Sequence, residues 1–292
     1  MNLTITIVTG SWENTQQVDE YYSSFGYFTI SIQTQIHLKM QGTVGRLSQV
    51  FNTTFFEYKC QKNMTLICFA STSVVYIPAS LNSAIVGILG LEQVLALKSN
   101  YVVGKSIGRL KSLLRSKALQ IPYFIGPQVA QVYGFPNSDG SGIRVGIITL
   151  GGYFFQSDLQ AYFDAFGLGK APNITLISVD GAQLVNSDSA ENYLDVEIIS
   201  SVVPNANITL YFGINSLQGF YDVIYVALNR SDVVSLSWGS TEVNSVFSSY
   251  LSSFQALISL YSNVPLFVAT GDYGSYGGVG FPASCPSAIG KN

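Results

Sequence analysis

The stretch Ile143-Arg-Val-Gly-Ile-Ile-Thr-Leu-Gly-Gly152 decides the fold. Its apolar core is β-branched and unbroken by polar alternation, and it stops at a pair of glycines. A strand covered on both faces reads this way. Four more short apolar runs follow, at residues 174–179, 208–212, 233–237 and 265–269. Helical segments separate them, over 157–166, 190–201, 217–229 and 244–261. Buried strands alternating with helices predict an α/β fold, a doubly wound parallel sheet. In such sheets functional groups gather at the carboxyl ends of strands, where Gly151-Gly152, Trp238-Gly239 and Gly271-Asp272 all lie.

Upstream the rhythm differs. Residues 1–7 alternate as a strand, 18–24 read as a helix and 27–39 alternate again. A short helix is expected over 46–51, strands over 54–60 and 65–76, then a helical piece from Ala79. That order predicts a small α+β domain with an antiparallel sheet. Between the halves lies a basic run, Lys98, Lys105, Arg109, Lys111, Arg115 and Lys117, with no acidic residue from Glu92 to Asp139. It reads as an exposed linker or a solvated helix. The expected division is therefore 1–97, a linker and entry segment over 98–142, and 143–292.

Composition narrows the function. Charged residues make up 11% of the 292, against roughly 25% in ordinary globular chains. Tyr, Ser, Asn, Thr and Gly take their place, a surface compatible with an acidic medium because uncharged polar groups lose no ion pairs there. A net charge of −3, and a basic run with no interleaved aromatic platform, give no nucleic-acid signal. The apolar residues 84–97 contain Glu92 and Gln93 and are too short to span a bilayer. The first residues lack the basic opening and long apolar centre of a signal peptide. Six Asn-x-Ser/Thr sequons, at Asn2, Asn52, Asn63, Asn173, Asn207 and Asn229, lean towards secretion. Cys60 and Cys68 bracket a polar segment between two strand-like runs, which suits a hairpin disulfide, the alternative being two separate buried thiols. Cys285 has no evident partner in the sequence.

The chain has one histidine, His37, in an alternating strand and assigned a structural place. Proton transfer would have to fall to carboxylates. Glu191 and Asp195, in Glu191-Asn-Tyr-Leu-Asp195, are four residues apart and project from one helical face. Two readings stand beside each other. Asp188 and Glu191 fit a helix-capping box, whereas Glu191 and Asp195 facing a cleft would form a coupled pair that pushes its ionisations apart. Asp272 ends Val268-Ala-Thr-Gly-Asp272 and suits either a glycine-rich turn or, kept neutral, donation to a developing oxyanion. The glycine-rich stretches fit no dinucleotide or P-loop fingerprint, and one histidine with scattered cysteines suggests no metal cluster.

Five stretches in order resemble the sedolisin family, the kumamolisin-like serine-carboxyl peptidases. They are residues 143–152, Glu191-Asn-Tyr-Leu-Asp-Val-Glu197, Val234-Ser-Leu-Ser-Trp-Gly239, Val268-Ala-Thr-Gly-Asp-Tyr-Gly274 and Phe281-Pro-Ala-Ser-Cys-Pro286. Residues 16–95 are similar to the family's activation prodomain, through Gly42-Thr-Val44, Val50-Phe-Asn-Thr-Thr54 with Tyr58, Ile77-Pro-Ala79 and Gly87-Ile-Leu-Gly-Leu91. The resemblance implies a subtilisin-like peptidase domain and a secreted precursor that cuts polypeptides in acid, with the prodomain as intramolecular partner. It places the general base at Glu191, its supporting carboxylate at Asp195 and the oxyanion acid at Asp272, with Trp238 extending the network. Thr149 stands where some members carry a further glutamate.

The family's nucleophile belongs to a Ser-Gly-Thr-Ser motif, and no Gly-Thr-Ser occurs here. Ser237 and Ser275 lie in the wrong segments to replace it. A structural calcium, also implied by the resemblance, would be bound further downstream. The chain is thus expected to be a truncated zymogen, inactive alone. The competing readings are a non-catalytic secreted binding protein on the same fold and an extracellular surface protein.

Overall fold

The computed structural model describes residues 2–59, 67–72, 74–92, 97–99, 124–184, 189–243, 248 and 250–291. Six parallel strands form the larger sheet: β8 (Arg144–Thr149), β9 (Thr175–Ser178), β10 (Asn207–Phe212), β11 (Val233–Leu236), β13 (Leu266–Ala269) and β15 (Ile289–Lys291), in the order β15-β13-β11-β8-β10-β9. Alternate residues of β8 serve two cores. Val145 and Ile147 pack beneath α4 (Gln156–Phe166) and α5 (Ala190–Val202), which follow the short α3 (Gly126–Val132), with Leu159, Phe163 and Val196. Ile148 packs on the opposite face beneath α6 (Leu217–Arg230) and α7 (Leu251–Leu260), with Phe220, Ile224 and Phe254. Ile147, Ile148, Leu210 and Leu236 are essentially inaccessible to solvent. Burying each such side chain stabilises by about 1.5–3 kcal/mol. These covered strands explain the absence of polar alternation.

A second sheet is antiparallel, in the order β2-β3-β1-β6: β1 (Asn2–Thr9), β2 (Thr29–Thr34), β3 (His37–Thr43) and β6 (Ile85–Leu89). One face packs on α1 (Trp12–Ser23) and α2 (Val44–Val50) around Ile5, Ile7, Tyr22, Leu38, Met40 and Phe51. The hairpin β4 (Phe55–Lys59) and β5 (Ile67–Ser71) stands apart from that sheet. Two expectations need correction. The alternation over 27–39 is not one strand but β2 and the start of β3, broken where Thr34 and His37 pair. The helical piece from Ala79 is a single turn, Ala79–Leu81, after which Ile85-Val-Gly-Ile-Leu89 is a strand. β-Branched residues in a five-residue run favour that outcome.

The antiparallel sheet lies against α6 through polar contacts. Positions 218, 222 and 225 share one face of this helix, at spacings of four and three. Gln218 donates to Thr6 Oγ1 at 3.1 Å, and the Tyr225 hydroxyl donates to the Gln33 carbonyl at 3.1 Å. Lys39 Nζ lies 3.1 Å from buried Asp222 and 2.8 Å from Asp180. His37 is fully buried between Tyr221 and Tyr225, edge-on to both. Burial first, and then the Lys39 charge, lower its pKa to about 4, so it stays neutral.

Most of the basic run falls outside the described residues, as do Asp188 and Cys60, so the disulfide and capping-box expectations rest there too. Cys285 is a free, buried thiol.

Candidate active site

Three side chains at the start of α5 strap it to the loop after β8. The Ser189 hydroxyl accepts from the Tyr153 amide at 2.9 Å. Asn192, almost wholly buried, donates to the Gly151 and Tyr153 carbonyls at 3.0 and 3.2 Å. Its Oδ1 accepts from the Thr149 hydroxyl at 2.5 Å. Tyr193 accepts from the Phe155 amide at 3.0 Å and donates to Asp158 at 2.7 Å. The helix is thereby rotated so that Glu191 and Asp195, one turn apart, face the carboxyl end of β11.

There the Ser237 hydroxyl donates to Asp195 Oδ1 at 3.0 Å. Glu191 is buried, and among the described residues its Oε2 has no hydrogen-bond partner. Burial raises the Glu191 pKa to about 7, helped by the negative charges of Asp195 and Asp272 and opposed by Ser237 and Lys291. Asp195 is raised to about 6, again by burial, with Ser237 and Lys291 acting the other way. Lys291 ends β15 and hydrogen-bonds Ser235 Oγ at 3.1 Å.

Asp272 follows β13 on an exposed turn. Gly271, at φ 97°, supplies the left-handed backbone that the turn requires. The Asp272 charge contributes to the raised pKa of Glu191, and Asp272 follows the carboxyl end of β13, the strand next to β11. Trp238 is half-buried beside Ser237, packed on the core beneath α6, and its indole nitrogen is buried with no partner among the described residues. Thr149, where a glutamate was at issue, holds Asn192 and carries no charge into the site.

Ser237, Asn192 and Lys291 were not singled out from sequence as parts of the site. Ser237 was considered only as a nucleophile. Its place at the last step of an apolar strand, ahead of Trp-Gly, was the available signal.

One further element touches this end of the sheet. The short strand β12 (Trp238–Thr241) pairs antiparallel with β14 (Gly280–Phe281) and with β7 (Lys98–Ser99). In the second pairing Trp238 faces Ser99 and Gly239 faces Lys98. The chain leaving the antiparallel unit therefore adds a strand to the rim of the carboxylate site. Among the described residues no group of three or more His, Cys, Asp or Glu side chains is arranged to hold a metal ion. No described helix is long and apolar enough to cross a membrane.

Comparison with known proteins accords with this architecture. Residues 6–94 match the family model "Pro-kumamolisin, activation domain". Over 234 residues the chain is 30% identical to kumamolisin of Bacillus sp. (strain MN-32), covering 74% of this chain and 42% of the relative. The chain thus spans less than half the length of that curated relative. Among solved structures, Pseudomonas sedolisin, a serine-carboxyl proteinase complexed with two molecules of pseudo-iodotyrostatin, aligns at 23% identity with a TM-score of 0.50, covering 57% of this chain and 52% of that one. At that identity the likeness bears on the fold, a subtilisin-like α/β sheet. The chain belongs to the sedolisin family and carries that family's activation prodomain.

Proposed function

We infer that this chain is the precursor form of a secreted serine-carboxyl endopeptidase, with Glu191 as general base, Asp195 as its partner and Asp272 as the acid facing the oxyanion. The observation that carries this is Glu191: a buried carboxyl with one oxygen unpartnered, beside a second carboxyl with raised proton affinity. A helix-capping carboxylate would instead be ionised and satisfied by backbone amides. Both carboxyls hold protons more tightly than usual, and Glu191 accepts the serine proton in its ionised form, so the ionisation of the pair governs the activity. In the proposed cycle the base takes the proton of a serine hydroxyl as it attacks the peptide carbonyl, and Asp272, in its protonated form, donates a hydrogen bond to the oxygen as it becomes negative. The same proton then passes from the base to the leaving amine.

The peptide would lie as a strand along Trp238–Gly239, where Lys98–Ser99 now sits, since an exposed strand edge binds extended chain through its main-chain groups. The division proposed from this is a prodomain over 1–97, a connecting and entry segment over 98–142, and peptidase residues over 143–292. The calcium that the resemblance implies would belong to residues outside this sequence, and no step above depends on it.

The 292 residues contain no Ser-Gly-Thr-Ser. Loss of the nucleophile from such a unit removes acceleration on the order of a millionfold. The chain expressed alone is therefore expected to release no product from fluorogenic peptides between about pH 3 and pH 7. Turnover that vanishes in Glu191→Ala and in Ser237→Ala would move the nucleophile to Ser237 and overturn this assignment. A non-catalytic binding protein on the same fold predicts instead that the Glu191 titration has no bearing on any activity of the whole protein.

A further inference from the structure

The strand at the rim is held by more than its ladder. Asn215 lies in the turn between β10 and α6, one residue before Ser216, whose hydroxyl accepts from the Gly219 amide at 3.1 Å. A side chain on Gly219 would collide with the Ile214 carbonyl, so this turn is tightly packed. From it the Asn215 carboxamide reaches Leu97, accepting from the Leu97 amide at 2.7 Å and donating to the Leu97 carbonyl at 3.0 Å. A side-chain amide that brackets both main-chain groups of one residue takes the place of a neighbouring strand. It recognises extended backbone whatever side chain that residue carries. The Leu97 side chain, 3% exposed, enters the same buried cluster as Leu217, Phe220 and Phe254.

The register fixes where this lies relative to the carboxylates. Moving from Ser99 back to Leu97 leads from Trp238 towards and past Gly239, away from Ser237. A peptide bound in that register sets one residue against Ser237, and the residue three places before it against Asn215.

We propose that Asn215 and the socket filled by Leu97 form a selectivity site that takes a large apolar residue of a bound peptide, three positions before the residue facing Ser237. The proposal rests on the peptidase reading above and names a feature of its substrate. Asn215 acts as a positioning residue that grips main chain, and the socket sorts side chains. The prodomain strand holds the site in the precursor, and a polypeptide with Leu or a similar residue at that position replaces it.

The test is a binding cycle on the 292-residue chain carrying Leu97→Ala, so that its own strand loses its anchor. The probe is fluorescent acetyl-Ala-Leu-Lys-Ser-Asn-amide, compared with the same peptide carrying Ala for Leu and with one N-methylated at Leu. The Leu peptide is expected to bind at least about tenfold more tightly than the Ala peptide. N-methylation, which removes the proton that Asn215 Oδ1 accepts, is expected to weaken binding about tenfold. The same N-methylation should cost almost nothing further once Asn215→Ala is present, a coupling that a merely structural Asn215 would not produce. Equal binding of the Leu and Ala peptides overturns the selectivity, and equal N-methyl losses with and without Asn215 overturn the clamp. No binding of any peptide also overturns the proposal, yet leaves the titration of Glu191 and Asp195 as a separate test of the catalytic assignment.

If Leu97→Ala does not fold, exchange of the Leu97 amide in the otherwise unaltered chain decides the clamp. Asn215→Ala is expected to speed it at least about tenfold, whereas Asn215→Asp, which keeps the acceptor, leaves it within about threefold. Equal rates in both variants overturn the proposal.

Discussion

Two groups of carboxylates in this protein are drawn out of water, and they settle differently. At the joint between the sheets, Asp180 and Asp222 converge on Lys39. Burial pushes Asp222 up to about 8, and the proton it keeps is shared with Asp180. Burial also works against ionising Asp180, but hydrogen bonds from Asp222 and Lys39 outweigh it and its pKa is lowered. The cluster thus resolves into one protonated acid, one carboxylate and one ammonium whose charges cancel, although Asp222 Oδ1, like Glu191 Oε2, has no hydrogen-bond partner among the described residues. At the far end of the parallel sheet, Glu191 and Asp195 have no such cation against them among the described residues. Lys291 is bound to Ser235 and acts on them through its charge alone. A joint needs its charges paired, whereas a site for proton transfer needs a carboxyl whose proton can leave.

The largest effect should come from unpairing the joint. Lys39→Ala leaves buried Asp222 and exposed Asp180 without their cation and is expected to cost about 2 kcal/mol of unfolding free energy near pH 7. Urea denaturation measures it, and a loss below about 1 kcal/mol would erase the contrast between the two clusters.

The next effect has the opposite sign. Glu191 has a folded pKa raised above its unfolded one, so its contribution to stability is complete below about pH 4 and is lost as pH rises through about 7. Glu191→Gln removes that loss. The variant should match the parent near pH 4 and exceed it near pH 8 by on the order of 1 kcal/mol. A variant less stable than the parent at pH 8 would mean that Glu191 is paired after all.

The smallest concerns the hydroxyl between the carboxyls. Ser237 holds Asp195 below the value that burial alone would give, so Ser237→Ala should raise the Asp195 pKa further. Carbon-detected NMR of the aspartate carboxyls reads the shift. No movement would detach Ser237 from the pair.

The parallel sheet was legible because strands covered on both faces must be apolar throughout, and β8, β10, β11 and β13 sit where their runs lie. The glutamate and aspartate were legible from their four-residue spacing. Partners that depend on chain separated by more than a hundred positions were not. Leu97 meets Asn215, and Lys39 meets Asp180 and Asp222, with no local pattern to announce either contact. The strands β7 and β14 are two residues long, below the length at which periodicity exists. The strand Ile85–Leu89 was taken for helix because an apolar run alone does not separate the two.

The acid held at the joint has a calorimetric consequence. Asp222 is largely ionised in an unfolded chain at neutral pH and largely protonated in the folded one. Folding near pH 7 therefore draws protons from the medium, and Glu191 adds to the uptake. The heat of folding should then change with the ionisation enthalpy of the buffer, giving different apparent enthalpies in phosphate and in Tris.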